Sequence, residues 1–190
     1  LIKQNPKKIF LVEKDEFLFN LLKEKYSEKA ILINPNLIEA HLNLFSIYMD
    51  LSNLKEAELS IKNAIKLDPN SSVAHFNLSR IYIELGKDYE AESSVKKAIS
   101  IQPLFPQAYN NLGIILKSLD KPLEAEISTR KAIELKKDYV EAYYNLGNIL
   151  RFIGKKEEAI ECTKIIMKIR PWSIIGSFSL NQKFEIKSSS

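Results

Sequence analysis

The sequence predicts an all-α solenoid built from 34-residue helix–turn–helix units, and three observations carry that expectation. Pro35, Pro69, Pro103 and Pro171 fall on a lattice of period 34, whose one missing node holds Lys137. Ala40, Ala74, Ala108 and Ala142 form a column on the same period, and Ala57, Ala91, Ala125 and Ala159 form a second. Leu44, Leu78, Leu112 and Leu146 form a third. A period of this length marks a supersecondary unit that cannot cover its own apolar face and must stack on copies of itself, with about three copies needed for stability.

Within the first full copy, Ala40, Leu44, Ile47 and Leu51 step by three and four, which makes one apolar helical face. Leu54, Ala57, Ile61, Ala64, Ile65 and Leu67 repeat that stepping after a short break. The break holds Ser52–Asn53, then Gly86–Lys87, Asp120–Lys121–Pro122 and Gly154–Lys155 in the later copies. Gly there accepts positive φ, and Pro opens a helix at its first position. Second helices are expected to stop at Asp68, Gln102 and Arg170, because a residue ahead of proline is pushed out of the helical region. The expected pairs are 38–51/54–67, 72–85/88–101, 106–119/122–135 and 140–153/156–169. Alanine at the two small columns lets helices approach closely, where larger side chains would overpack by about 1–3 kcal/mol. The Ile47, Ile81, Ile115, Ile149 column is expected to be buried throughout.

The ends fit the lattice less well. Residues 1–37 read as a degenerate N-terminal capping repeat, with a helix over Asp15–Ile33 and with Lys3–Val12 either helical or extended. Four repeats follow at 38–71, 72–105, 106–139 and 140–171, and 172–190 reads as a capping helix over Trp172–Gln182 and a loose tail. At 190 residues, one continuous solenoid is the economical organisation. The chain begins with Leu1 rather than Met, as a fragment, a trimmed chain or an incomplete reading frame would.

The apolar content of 45% and charged content of 27% are those of a globular chain. The net charge is +4, but Glu and Lys are interleaved rather than segregated, which argues against a nucleic-acid partner. Glu58–Lys62, Glu92–Lys96 and Glu126–Arg130 are acid-then-base pairs four residues apart, and Lys62, Lys96, Arg130 and Lys164 are expected on a solvated outer face. No apolar run approaches the roughly 18 residues of a membrane span, so no membrane partner is expected. The single cysteine, Cys162, suits a reducing compartment, and the expected location is cytoplasmic.

The repeat resembles the tetratricopeptide repeat family. That family's aromatic–x–x–Leu–Gly–x–x–Tyr, Ala–x–x–x–Phe, Ala and Pro pattern is met by Tyr143, Leu146, Gly147, Leu150, Ala159, Thr163 and Pro171, and by Tyr109, Leu112, Gly113, Leu116, Ala125, Thr129 and Ala132. His75, Leu78, Ser79, Tyr82, Ala91, Val95, Ala98 and Pro103 follow it more loosely, and the first copy has Phe45 in place of Gly. The resemblance implies an all-α, right-handed superhelical solenoid whose first helices line a concave groove.

Asn43, Asn77, Asn111 and Asn145 stand one period apart in mid-helix, where Asn is a mediocre helix former. This column is similar to the Asn ladder of the O-GlcNAc transferase repeats. The resemblance implies an extended peptide held through its backbone, since a carboxamide both donates and accepts. A structural or ancestral origin accounts for the column equally. Around it, Phe76, Arg80, Lys117, Tyr144, Asn148 and Arg151 complete the candidate peptide-binding set, with Phe152 a further aromatic anchor. Leu42 and Glu141 stand where a dicarboxylate clamp needs Lys, which argues against chaperone tails.

No catalytic constellation, metal set or cofactor motif is found. His41 and His75 share the aromatic column with Tyr109 and Tyr143 and are expected to pack, and Cys162 is expected to behave as a small hydrophobe. The expected function is a non-catalytic scaffold for a protein or an extended peptide segment. Two alternatives stand beside it: the non-catalytic arm of a glycosyltransferase, sulfotransferase or oxygenase, and a module that self-associates weakly through its stack ends.

Overall fold

A computed structural model describes residues 9–11, 30–32 and 38–170. Two three-residue strands, β1 (Ile9–Leu11) and β2 (Ala30–Leu32), pair in parallel with Ile9 opposite Ala30. Eight helices follow: α1 (Ile38–Asp50), α2 (Leu54–Leu67), α3 (Ser72–Glu84), α4 (Asp88–Ile101), α5 (Pro106–Ser118), α6 (Pro122–Leu135), α7 (Val140–Phe152) and α8 (Lys156–Ile169). Between 38 and 170 there is no strand. Ala30–Leu32 corrects the helix expected over Asp15–Ile33, whose remaining residues lie outside the described set, as does the helix expected over Trp172–Gln182.

All eight helix starts fall where the period puts them, and the second helices also end there. Each first helix ends one residue earlier than expected, because its last turn closes into a left-handed cap. The Asn53, Lys87, Lys121 and Lys155 N–H groups donate to the carbonyls of Tyr48, Tyr82, Leu116 and Leu150, each at 2.8 Å. The residue before each donor has positive φ: Ser52 at +56°, Gly86 at +66°, Asp120 at +58° and Gly154 at +83°. This is the Schellman arrangement, repeated in all four copies. Two copies supply Gly for it and two do not.

Second helices end in extended backbone at Asp68, Gln102, Lys136 and Arg170. Lys136 does so ahead of Lys137, so proline is not required to stop α6. Elsewhere Pro106 and Pro122 open α5 and α6, and the Ser71 hydroxyl caps α3 by accepting from the Ala74 N–H at 3.3 Å.

The chain divides into two compact units, Leu1–Pro103 and Leu104–Ser190. In the first, α1 packs on α2, α2 on α3 and α3 on α4, with β1 beside α1. Its core gathers Ala40, Leu44, Phe45, Tyr48, Ala57, Ile61, Leu78 and Ile81. In the second, α5 packs on α6, α6 on α7 and α7 on α8, and Leu146, Leu150, Ala159 and Cys162 form a cluster. Both alanine columns are essentially fully buried. Ile81, Ile115 and Ile149 are buried, but Ile47 is only half-buried, since among the described residues no helix precedes α1.

The column Phe45, Ser79, Gly113, Gly147 sets how closely the two helices of a hairpin approach. At Gly113 a Cβ would lie 2.1 Å from Thr129 Oγ1 and 3.2 Å from the Ala125 carbonyl oxygen. Thr129 Oγ1 already donates to that carbonyl at 2.8 Å, so it cannot turn away without losing the bond. At Gly147 the nearest atoms would be Cys162 Cβ at 3.6 Å and the Ala159 carbonyl oxygen at 3.7 Å, which is ordinary contact. Gly113→Ala should therefore destabilise by about 1–3 kcal/mol through overpacking, whereas Gly147→Ala should stabilise by about 0.5–1 kcal/mol through helix propensity. Denaturant titration of the two variants checks this, and equal effects would contradict the packing. Ser52→Gly should also stabilise, by up to about 1 kcal/mol, because it relieves a left-handed Ser; a fall in melting temperature would contradict the cap.

Candidate functional site

The candidate residues lie on the first helix of each hairpin. In the first unit, Asn43 is exposed on α1, while Asn77 on α3 is 8% exposed. The Asn77 Oδ1 accepts from Arg80 at 3.4 Å, and the Arg80 guanidinium also lies 5.4 Å from the centre of the Phe45 ring. Arg80 is thus held over the helix by one amide and one aromatic face, and Phe76 beside it is half-buried. Glu39, Asp50 and Glu84 are exposed on the same helices.

In the second unit, Asn111 and Asn145 are half-buried on α5 and α7. The Asn145 Nδ2 donates to Asn110 Oδ1 at 3.0 Å, so part of the Asn145 amide is committed to a bond between helices. The four Asn residues are therefore not equivalent: one is free-standing at the surface, one is nearly buried, and one bridges two helices. Tyr144 and Phe152 are each 60% exposed, too open to be core residues. Arg151 donates to Asn148 Oδ1 at 2.6 Å, and Lys117 is half-buried near the end of α5.

The basic column of the outer face is exposed, as expected. The bases Lys62, Lys96 and Arg130 are exposed, but their acidic partners are not solvated: the Glu58, Glu92 and Glu126 side chains keep only 22%, 11% and 10% of their accessible surface. In the second unit Glu126 accepts from Arg130 on its own helix at 2.8 Å and from Lys155 of the next hairpin at 2.9 Å, while Arg130 also reaches Glu158 at 2.5 Å. The sequence does carry a signal for this: Lys87, Lys121 and Lys155 each stand 29 residues after Glu58, Glu92 and Glu126. Copy four breaks the rule with Ile160, and there Lys164 pairs with Glu161 at 3.1 Å instead.

Burial alone would raise the Glu126 carboxyl, but hydrogen bonds from Lys155 and Arg130 outweigh it and hold it below its ordinary value of 4.5. A lowered carboxyl contributes stability that is complete above its unfolded value and is lost as pH falls through the folded value. Unfolding free energy should therefore drop as pH falls below 4.5, and the Glu126→Gln variant should show less of that drop while losing about 1–3 kcal/mol at neutral pH. Chemical denaturation across acidic pH measures both; parallel curves for parent and variant would remove Glu126 from the account.

Other titratable groups have structural settings. Burial pushes the Cys162 thiol above its ordinary value, which makes it a poor nucleophile at neutral pH. It lines an apolar recess with Ile133, Tyr143, Leu146 and Ile165, with a volume of about 410 Å³. His41 is buried, and His75 Nε2 lies 3.0 Å from the Pro69 carbonyl, to which its N–H donates. Among the described residues no group of three His, Cys, Asp or Glu side chains is placed to hold a metal ion, and no helix is long and apolar enough to cross a membrane.

Two family models described as tetratricopeptide repeat match this chain, one over residues 38–71 and 106–139 and the other over 61–93 and 129–161, together more than half of its length. No curated protein matches. Among solved structures, the crystal structure of MamA is 24% identical with a TM-score of 0.66 and covers 80% of this chain and 84% of that one. The Pseudomonas aeruginosa PilF structure is 18% identical with a TM-score of 0.66, over 71% of this chain and 62% of that one. A Thermobaculum terrenum O-GlcNAc transferase mutant is 23% identical with a TM-score of 0.58, over 60% of this chain and 22% of that one. At these identities the likeness is one of fold.

Proposed function

Because the chain belongs to the tetratricopeptide repeat family, whose members are scaffolds that bind other proteins or peptides, we propose that it binds an extended peptide segment along its first helices and performs no chemistry itself. The observation that carries this reading is the exposed polar and aromatic face of α5 and α7. Tyr144 and Phe152 stand open beside Asn111, Asn145 and Asn148. Exposed aromatics are the usual anchors of an interface. Carboxamides beside them suit the donors and acceptors of a peptide backbone irrespective of its sequence.

The Asn column has unequal parts in this reading. Asn43 and Asn111 are the residues with amides best placed for a ligand. Asn77 serves Arg80, and Asn145 serves Asn110. Within the second unit, Asn111→Ala should leave melting behaviour intact and lower affinity for library-selected peptides by about two- to tenfold, the lost hydrogen bond costing about 0.5–1.5 kcal/mol. The loss should be similar across peptides of different sequence, whereas Tyr144→Ala should act unequally among them. Titration of parent and variants against the same peptide panel is the test. Unchanged affinity in a folded variant would leave Asn111 to structure alone.

A second reading is a non-catalytic arm of a larger enzyme. It draws on the match to the transferase, of which this fold occupies only 22%. The binding face would serve substrate delivery there in the same way.

A further inference from the structure

We infer that the segment held by the second unit is acidic: an extended stretch with two carboxylates two or three residues apart, next to an apolar or aromatic side chain. This rests on the peptide-binding reading above and adds the chemical class of its ligand. The only charged residue of α5 is Lys117, and α7 carries only Glu141 and Arg151. Glu141 lies at the opposite, N-terminal end of α7, and its carboxylate is 3.8 Å from the Arg170 guanidinium. Lys117 and Arg151 are one period apart, each in the last turn of its helix, and α5 packs directly on α7. Among the described residues neither base is paired with a carboxylate, and the one bond of Arg151 goes to the neutral Asn148 amide. On this unit's second helices Glu126 is held by Arg130 and Lys155, Glu158 by Arg130, Glu134 by Lys131 and Glu161 by Lys164.

The comparison with the first unit shows that this pair is not imposed by the repeat. The same two columns hold Met49–Asp50 and Ile83–Glu84 there, against Lys117–Ser118 and Arg151–Phe152 here. Nor is it imposed by the helix dipole, since Asp50 and Glu84 stand at helix C-termini against it. What remains is a basic pair beside two open aromatics, Tyr144 and Phe152. Packed helices lie about 8–10 Å apart, and an extended chain advances about 3.3 Å per residue. Carboxylates two or three residues apart on such a chain reach both bases.

The test uses the whole chain against a random peptide library displayed on phage, followed by fluorescence titration of the selected peptides. Selected sequences should be enriched in paired Asp or Glu. Replacing those acids by Asn or Gln should weaken binding about tenfold or more, and so should Lys117→Gln with Arg151→Gln. The double variant should bind the neutralised peptide no worse than the parent does, with unchanged melting behaviour. Peptides that bind with sensitivity to Asn111→Ala, yet show no acidic enrichment and no loss in the Lys117/Arg151 variant, would overturn this inference and leave peptide binding standing. A library that yields no binder would overturn both. A labelled oligothymidine that displaces the peptides and itself loses binding in the double variant would assign the basic pair to nucleic acid and overturn the acidic-peptide assignment.

Discussion

Close approach of helices at fully buried small residues is the constraint on which the rest of the architecture depends. Ala40 and Ala57 in the first copy, and their equivalents in the other three, present almost no surface to solvent. A side chain of one carbon leaves no freedom to trade contact for clearance, so the separation of each helix pair is fixed by backbone. At Gly113 the neighbouring helix comes closer than at Gly147, and the space is filled by a threonine hydroxyl bonded to the preceding turn of its own helix. Interiors packed to this density have few alternative arrangements. That is why side chains one period apart, such as Lys117 and Arg151, can be treated as neighbours on adjacent helices.

Periodicity made the helical framework legible because each helix boundary is set by local chemistry that repeats with it. Left-handed caps close the first helices and extended residues close the second. The first helices end one residue short of the periodic pattern because the cap takes the final residue, as at Leu85 and Ile153. Position in the array was less legible. Ile47 carries the same residue as Ile81 yet is only half-buried, because burial belongs to what lies above a helix and not to the helix itself. The strand at Ala30–Leu32 has no counterpart in the repeat, so no column could announce it.

For the candidate site, the face was legible and the state of each residue was not. The spacing put Tyr144, Arg151 and Phe152 at the surface, but the four identical Asn residues do not share one state. The difference arises from neighbours outside the column: Arg80 below Asn77, and Asn110 opposite Asn145. The acids of the outer face show the same limit. An acid and a base four residues apart read alike whether the acid is solvated or, like Glu126, covered by the next hairpin. Glu126 is covered by Lys155, 29 residues further on, and that spacing has meaning only once the hairpins stack.

That lysine gives the two hairpins of the second unit a direction. Glu126 waits for a base from the hairpin that follows, and Lys155 arrives from there to meet it. Copy four can donate in this exchange but cannot receive, since Ile160 stands at the accepting node. The four copies are therefore not interchangeable modules. A swap that moved the fourth ahead of the third would set a lysine amine beside an isoleucine and leave it without the carboxylate that Glu126 offers.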